Sequence, residues 1–470
     1  MGAASRSFRS IPSVDRLLND GSDSVVLPRP LAVLLARELL NEIRLEGEVP
    51  EYQQILQAFR ERIRRLERTR LQPVINATGI PLHTNLGRSP LSSTAVEALT
   101  RVVSGYCNLE FQLDEGTRGK RGAYVEHCLQ ALFQCSGAAI VNNCAAALVL
   151  ALSQSVREGR PEVVISRGEL VQIGGGFRIP EILSASGAVM REVGTTNRTT
   201  LEDYEGAISD RTGLILIVHR SNFYMKGFVE LPDLKDMAVL GRDRGVPVLF
   251  DQGSGAVLDP GELEGVESEL IVSEVLSHGI DLVCFSGDKL FGGPQAGLIC
   301  GRSDLVSAMK GNPMFRALRC DKLTLSALQA VLETYLGHSA KLAPDASPQL
   351  PVLESLVQSV SNIKARAEGL MASLDSLGLE IELVETEVEV GGGTLPQSRI
   401  PSAGIAIKYE GVGAQKIARY LREGRPGIVG YVANQRCYLD LRTVPVEQDE
   451  LLGACLRSVA ERVMLGRNGA

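Results

Sequence analysis

Short runs of aliphatic and β-branched residues alternate with helix-like segments through the middle of this 470-residue chain. The apolar runs lie at residues 138–142, 162–166, 213–219, 246–251, 281–287 and 296–301. Segments with apolar residues at helical spacing separate most of these runs and lie at 144–154, 201–208 and 231–244. Continuous apolar strands separated by helices are typical of a parallel sheet that is covered on both faces. The pattern therefore predicts an α/β domain with ligand-binding residues at the carboxyl ends of its strands.

The N-terminal part of the chain has a different pattern. Apolar residues recur at helical spacing over residues 31–43 and again over 52–66, where arginines occupy the other face. No run of alternating or continuous apolar residues typical of a strand interrupts these two segments. The pattern predicts a helical N-terminal domain at residues 1–70, followed by the large α/β domain at 71–340.

The C-terminal part predicts a small α+β domain at residues 341–470. A long helix is expected at 353–377, and two strands then flank a Gly-rich segment at 391–399. A further helix at 413–423 and a strand around 438–441 complete the pattern. The Gly-rich segment lacks the G-x-x-x-x-G-K-[ST] motif of a nucleotide-binding loop, so we interpret it as a mobile turn.

Composition argues against several classes of protein. A formal net charge of −7 does not favour nucleic acid as a partner of the whole chain, and no DNA binding is expected. The longest apolar stretch, at 144–152, is far shorter than the ~20 residues of a membrane helix, so no membrane association is expected. Nine cysteines without a C-x-x-C pair, and five histidines without an H-E-x-x-H motif, indicate a reduced, cytoplasmic protein without a metal site.

The charge is distributed unevenly along the chain. Residues 1–70 contain 12 arginines and 10 acidic residues, a net charge of +2, whereas the remaining residues carry a net charge of −9. Six arginines and two glutamates fall within residues 60–70 alone. On composition alone, a solvated helix face and a nucleic-acid contact explain this run equally well.

The strongest chemical signal is a lysine that follows a predicted buried strand. Lys289 lies three residues after Ser286 and is followed by a Gly-rich stretch. A desolvated lysine in such a position can form a Schiff base with an aldehyde. Asp251 ends an earlier predicted strand. Pyridoxal 5′-phosphate requires a carboxylate and a lysine in such positions, because the acid keeps the pyridine nitrogen protonated and the lysine binds the aldehyde carbon. We therefore predict a pyridoxal-phosphate enzyme of the large aspartate-aminotransferase-like fold, also called fold type I.

A phosphate-binding turn is predicted between the first apolar run and the helix that follows it. The backbone N–H groups near Asn143, Cys144 and Ala145 would face an anion. The Ser286 hydroxyl would add a further donor. Asn143 is explained equally well as an ordinary helix cap. His219, at the end of another predicted strand, would donate to the phenolic oxygen of the cofactor, or else it is a satisfied core residue.

Several longer segments resemble the bacterial L-seryl-tRNA(Sec) selenium transferases, also called selenocysteine synthases. The resembling segments are INATGIPLHTNLGRSPL at 75–91, NLEFQLDEGTRGKRG at 108–122, VGTTNRT at 193–199, FDQGSGA at 250–256, FSGDKLFGGPQAG at 285–297 and NPMFRALRCDKLT at 312–324. Because several of these segments are long and contiguous, and the likeness extends over nearly the whole chain, the resemblance is specific.

The resemblance implies an enzyme that converts seryl-tRNA(Sec) into selenocysteinyl-tRNA(Sec) with selenophosphate as the selenium donor. Lys289 would be the pyridoxal-phosphate lysine and, as a general base, would remove the α-proton before the seryl β-hydroxyl leaves. Arg88, Arg316 and Arg319 are expected to bind the anionic substrate, since arginine makes planar bidentate contacts with such groups. Asp288 would tune Lys289, orient the substrate or cap the following turn. The family further implies a homodecamer, a pentamer of dimers, whose N-terminal domain binds the tRNA.

Two other functions are compatible with parts of the sequence. A pyridoxal-phosphate ammonia-lyase or β-eliminase acting on a small amino acid would share Lys289 and Asp251. The Arg-bearing N-terminal domain and the paired Arg316 and Arg319 weigh against that alternative. A catalytically silent RNA-binding or assembly protein would have no reason to retain both Lys289 and Asp251 at strand ends.

Overall fold

The computed structural model describes residues 8–21, 27–156, 159–338, 342, 348–374 and 380–467. The chain divides into two units, Met1–Pro73 and Val74–Ala470. The division into three domains remains a prediction, and its second boundary, between 340 and 341, lies outside the described residues. In the described part of the chain, no helix is both long enough and apolar enough to cross a membrane.

The first unit contains, in its described residues, three helices whose apolar faces bury one another. These helices are α1 Val14–Asp20, α2 Arg29–Glu46 and α3 Tyr52–Glu67. Leu17, Leu40 and Phe59 are buried in the core that the three helices share, as the helical spacing of the apolar residues predicts. Helix α2 ends at Gly47, whose N–H closes the last turn on the carbonyl of Ile43.

The second unit combines helices with strands. Its helices are α4 Ser93–Val103, α5 Ala123–Phe133, α6 Cys144–Val156, α7 Ile179–Ala185, α8 Leu201–Ala207, α9 Leu234–Arg244, α10 Val272–Ser277, α11 Ser303–Gly311, α12 Pro313–Leu318, α13 Lys322–Gly337, α14 Pro351–Val357, α15 Val360–Ala372, α16 Ala414–Arg422 and α17 Asp449–Arg467. Its strands are β1 Val74–Asn76, β2 Phe111–Gln112, β3 Thr117–Arg118, β4 Gly137–Val141, β5 Glu162–Ser166, β6 Gln172–Ile173, β7 Phe177–Arg178, β8 Val189–Val193, β9 Thr212–Val218, β10 Val248–Gly253, β11 Leu282–Ser286, β12 Gly297–Gly301, β13 Glu380–Val388, β14 Ile400–Lys408, β15 Gly427–Val429, β16 Tyr431–Ala433 and β17 Arg436–Asp440.

The largest sheet has seven strands among the described residues, in the order β4-β12-β11-β10-β9-β5-β8. Neighbouring strands are parallel except at β12, which is antiparallel to both β11 and β4. The connection from β11 to β12 spans only residues 287–296, which is too short for the helical crossover between parallel strands. The predicted α/β fold with a mostly parallel sheet is confirmed, and the six predicted strands lie within two residues of their expected bounds.

Strand β8, at the edge of this sheet, was not predicted. Its sequence is VMREV, and of its five residues only Val193 is buried. An edge strand is open to solvent and often includes charged residues, so it lacks the continuous apolar run that marks the central strands. Its pairing with β5 is therefore visible only in the folded sheet.

The smaller part of this unit is built on an antiparallel sheet in the order β13-β14-β17-β16. Strands β13 and β14 form the predicted hairpin around the Gly-rich segment. This segment is packed rather than exposed, because Val390 and Leu395 are buried and Val390 accepts a backbone hydrogen bond from Leu82 (2.9 Å). A Cβ at Gly391 would lie 2.4 Å from the side chain of Ile80, so this close approach requires glycine. The packing corrects the interpretation of 391–399 as a mobile turn.

The single helix predicted at 353–377 is wrong, because the chain forms two helices there, α14 and α15. Residues 375–377 of the predicted helix lie outside the described residues. The break falls at Gln358, where the backbone is extended, and the Ser359 hydroxyl then caps α15 by accepting from the Asn362 N–H (3.3 Å).

Arg442 binds the carbonyl groups that the helix break leaves free. Its Nη1 donates to the carbonyls of Ser355 (2.7 Å) and Gln358 (3.1 Å), and its Nη2 donates to the carbonyl of Pro401. The residue is only 2% exposed. Because Arg442 lies 84 residues beyond Gln358, local apolar spacing does not reveal the break.

We expect Arg442→Met to lower the free energy of unfolding by about 3 kcal/mol, because it leaves buried carbonyl groups without a donor. Urea unfolding followed by far-UV circular dichroism measures the change, since the chain has no tryptophan. Arg436→Met is a matched control, because Arg436 pairs with Glu382 near the surface and such pairs contribute about 1 kcal/mol or less. Equal unfolding midpoints for Arg442→Met and the wild type would contradict this role.

Candidate active site

The carboxyl ends of β10 and β11 bring two predicted site residues to the same edge of the sheet. Asp251 lies in β10 and Lys289 lies in the turn after β11, and the two strands are parallel neighbours. The residues are 7% and 5% exposed. The pairing shifts register at Gly253 (φ 70°), where a Cβ would lie 3.9 Å from both Asp251 Oδ1 and Lys289 Nζ. The glycine therefore leaves a space of about one methyl group that borders both charged groups.

Two cysteine thiols flank the Asp251 carboxylate. Cys144 Sγ and Cys284 Sγ donate to Asp251 Oδ1 at 3.6 and 3.7 Å. Burial raises the pKa of Asp251, whereas the charge of Lys289 and the two thiol hydrogen bonds oppose this shift. These three neighbours therefore favour the ionised form of Asp251, against the effect of its burial.

The same three residues place atoms of metal-ligand type close together. The two sulfur atoms and a carboxylate oxygen of Asp251 lie within 4.8 Å of one another. Hydrogen bonding explains this cluster without a metal, and the nearby charge of Lys289 opposes the binding of a divalent cation. Spacing along the chain did not predict the cluster, because Cys144 and Cys284 lie 107 and 33 residues from Asp251.

The start of α6 lies at the predicted phosphate-binding turn. Asn143 Oδ1 accepts from the Ala146 N–H (2.8 Å), so its side chain caps the helix. The N–H groups of Cys144 and Ala145 are in the first turn, where a helix offers no intrahelical acceptor, and they remain suited to an anion. Ser286 is buried at the end of β11. The phosphate-binding role of these residues stays a prediction.

Arg88 forms an ion pair with Asp288, the residue that precedes Lys289. Its Nη1 lies 3.1 and 3.0 Å from the two carboxylate oxygens of Asp288, and the Ser89 N–H donates to the Asp288 carbonyl (3.3 Å). Burial lowers the pKa of Lys289, and the charge of Arg88 adds to this effect, whereas Asp288 opposes it. Arg88 therefore lies at the candidate site, as predicted, and Asp288 is its ion-pair partner rather than a free carboxylate.

Arg316 and Arg319 lie in a different place from Arg88 within this one chain. Both line a cavity of about 410 Å³, and Lys289 is not among its lining residues. Basic side chains dominate its polar lining, which includes Lys120, Arg121, Lys310, Arg316 and Arg319. Arg319 Nη1 lies 3.2 Å from Glu110 Oε1. Arg316 and Arg319 thus line one cavity whose lining does not include Arg88, and their anion-binding role stays a prediction.

His219 directly follows β9 and contacts a glutamate that was not predicted. Its Nε2 lies 3.0 Å from Glu269 Oε1, and its backbone N–H donates to the carbonyl of Asp251 (2.9 Å). Glu269 is buried, although it lies in a loop rich in acidic residues. Glu269 differs from the neighbouring glutamates only in being buried. Because burial depends on the fold, the sequence did not single out this residue.

The larger part of the chain matches a known protein family. Residues 74–445 match the family model for L-seryl-tRNA selenium transferase. This match covers the whole candidate site and the antiparallel sheet of the second unit. The N-terminal helices lie outside the matched residues.

Relatives and a solved structure support the same assignment. The L-seryl-tRNA(Sec) selenium transferase of Carboxydothermus hydrogenoformans is 42% identical over 460 residues, which are 95% of this chain and 96% of the relative. That of Aquifex aeolicus is 40% identical over 441 residues, 93% and 95% of the two chains. The structure of a D-glucosaminate-6-phosphate ammonia-lyase shares the fold, with a TM-score of 0.56 and 21% identity over 85% of this chain and 98% of the other. The chain therefore belongs to the L-seryl-tRNA selenium transferase family.

Proposed function

We propose that this chain converts L-seryl-tRNA(Sec) into L-selenocysteinyl-tRNA(Sec), with pyridoxal 5′-phosphate as the cofactor and selenophosphate as the selenium donor. The family and the names of relatives that match more than nine-tenths of the chain support this reaction. The structural observation that carries the proposal is the burial of Lys289 and Asp251 around one space at the ends of neighbouring parallel strands. A homodecamer and a cytoplasmic location belong to the same proposal.

Pyridoxal phosphate, when bound, supplies an aldehyde for a lysine and a protonated ring that withdraws electrons from the substrate α-carbon. The residues fit this group, because an amine and a carboxylate line the space left by Gly253. Asp251 would accept a hydrogen bond from the ring nitrogen. The first N–H groups of α6 and the Ser286 hydroxyl would hold the phosphate, and His219 would face the phenolic oxygen.

Lys289 would remove the α-proton of the seryl group as a general base. Burial lowers the pKa of its amine, so the neutral form that accepts a proton is more accessible than for an exposed lysine. The charges of Asp251 and Asp288 oppose this shift only in part. The α-proton and the β-hydroxyl would leave as water. Selenium of selenophosphate would then bond to the β-carbon while the α-carbon regains a proton, and hydrolysis of the P–Se bond would release inorganic phosphate.

Arg88 would recognise the anionic selenium donor in this chain. Only its Nη1 is engaged by Asp288, so its remaining N–H groups are available to an oxyanion next to Lys289. Arg316 and Arg319 would contribute a second anionic contact, consistent with the basic lining of their cavity.

Helix α3 would contact the tRNA. Arg62 pairs with Glu42, and Arg60 donates to the carbonyl of Asp20 (2.7 Å), so these two arginines have partners within the helical unit. Arg64 and Arg65 are exposed on the same helix. Such arginines are suited to phosphate contacts.

The ammonia-lyase alternative shares the fold and would share Lys289 and Asp251. A fold by itself does not define the reaction, since one scaffold hosts many chemistries. The family membership and the basic helix α3 both favour a tRNA substrate.

Lys289→Ala is expected to abolish the visible absorbance of the cofactor-loaded protein and to lower selenium transfer to seryl-tRNA(Sec) by at least about 10²- to 10⁴-fold, because the general base is removed. Absorption spectra and transfer of labelled selenium measure the two effects. Lys226→Ala, at an exposed lysine, is the control and should change neither. Turnover of a free amino acid without selenium transfer by the wild type would favour the lyase, and a wild type that stays colourless with the cofactor would exclude both enzymes.

Gly253→Ala is expected to weaken cofactor binding, because its methyl group would occupy the space between Asp251 and Lys289. Gly245→Ala is a matched control: Gly245 has a similar left-handed conformation (φ 63°), but a Cβ there meets nothing within 4 Å. Both changes should cost about 1 kcal/mol or more of stability through backbone strain. Only Gly253→Ala should raise the dissociation constant measured by cofactor titration, and equal affinities for the two variants would contradict the assigned position.

Arg64→Glu with Arg65→Glu is expected to weaken tRNA binding and to reduce the slope of its salt dependence by about two, roughly one for each phosphate that is no longer neutralised. Binding of the tRNA at several salt concentrations measures both values. Arg37→Glu with Arg44→Glu, on helix α2, provides a control with the same change of charge. An equal effect of both pairs would show that net charge, and not helix α3, determines binding.

A further inference from the structure

A buried carboxylate that the proposed reaction does not use contacts the candidate site. Glu269 Oε1 lies 3.0 Å from His219 Nε2 and accepts a hydrogen bond from Ser254 Oγ (2.8 Å). Glu269 and Ser254 are buried, whereas the His219 side chain is 24% exposed. Burying a carboxylate is costly in free energy unless it has hydrogen-bond partners. Ser254, one partner of Glu269, lies three residues after Asp251, and His219, the other, donates its backbone N–H to the Asp251 carbonyl.

Hydrogen bonds to Asp259 restrain the loop that contains Glu269. The Glu269 N–H donates to Asp259 Oδ1 (2.9 Å), and the same carboxylate accepts from the Gly261 N–H (3.0 Å). Ser254 in turn accepts, through its carbonyl, the backbone N–H of Leu290 (3.0 Å), which directly follows Lys289. Glu269 is therefore anchored both in its own loop and to the turn that carries the lysine.

The ring of His219 is restrained by its backbone and by its neighbours. The His219 N–H donates to the Asp251 carbonyl (2.9 Å), and the ring lies beside that of Phe250, with centroids 6.1 Å apart and the planes tilted by 35°. Since Glu269 engages Nε2, Nδ1 is the ring nitrogen left for other contacts. A carboxylate oxygen at this distance can accept a hydrogen bond from an Nε2–H group.

We propose that Glu269 is a positioning residue that acts through His219: its bond to Nε2 fixes the ring so that Nδ1 faces the bound cofactor. A carboxylate behind a histidine commonly sets ring orientation and tautomer in this way. The inference rests on the proposed function only for the identity of the cofactor, pyridoxal phosphate. It requires neither the tRNA nor the selenium donor.

The test measures the affinity and the visible spectrum of the full-length protein reconstituted with pyridoxal phosphate. Glu269→Ala is expected to raise the dissociation constant about tenfold, as removal of a hydrogen bond to a charged group does, and to shift the visible band. Glu269→Gln keeps an acceptor for Nε2 and should restore most of the affinity. Glu267→Ala is the matched control, because Glu267 lies in the same loop but contacts Gln397, and its spectrum should match that of the wild type.

A double-mutant cycle separates positioning from general stability. If Glu269 acts through His219, Glu269→Ala should change the dissociation constant less than about twofold when His219 is already alanine. An equal decrease of affinity in both backgrounds, or a wild-type spectrum and affinity for Glu269→Ala, would overturn the proposal. Should Glu269→Ala fail to fold, Ser254→Ala takes its place, because it removes the hydroxyl that donates to Glu269. Its dissociation constant in the two backgrounds and its visible spectrum are judged in the same way. Since no selenium transfer is measured, failure of the proposed reaction would leave these outcomes unchanged.

Discussion

The burial of an opposite pair of charges at the carboxyl ends of two neighbouring strands is the constraint on which the rest of the site depends. Asp251 and Lys289 are almost completely removed from solvent, and burial raises the pKa of Asp251 and lowers that of Lys289. The charge that each carries, together with further partners, opposes part of these shifts. The parallel pairing of β10 and β11 is what brings the two strand ends together.

The further partners of Asp251 and Lys289 offset part of the free-energy cost of removing these two groups from water. The thiols of Cys144 and Cys284 donate to Asp251, and Asp288 lies next to Lys289 while it holds Arg88. These contacts join α6, β10, β11 and the segment before α4, so the site draws on elements that are far apart in the chain. A polar network of this kind is rigid when all its members have partners, and it is sensitive to the removal of any one of them.

The two units of the chain differ in net charge. The second unit carries the net negative charge, and basic side chains gather at the site and around the cavity that Arg316 and Arg319 line. The helical unit carries a net positive charge, and its exposed arginines on α3 are suited to a long polyanion. A protein with a total charge of −7 can therefore still present a basic surface to RNA.

The sequence by itself determined the elements and the two central residues of the site. Apolar spacing is a local property, so it predicted the six central strands and several of the longer helices, and the residues at the strand ends pointed to Lys289 and Asp251. It did not predict edge strand β8, whose residues are mostly exposed, or the break between α14 and α15, which Arg442 stabilises from 84 residues away.

Only the tertiary structure decided which side chains meet. Arg88 and Asp288 are 200 residues apart, and Glu269 reaches His219 through a loop whose sequence does not distinguish it. That Arg316 and Arg319 line a cavity with Lys120, Arg121 and Lys310 was likewise not visible in their motifs. Hydrogen bonds and ion pairs depend on distance in space, and sequence patterns report that distance only within a single helix or strand.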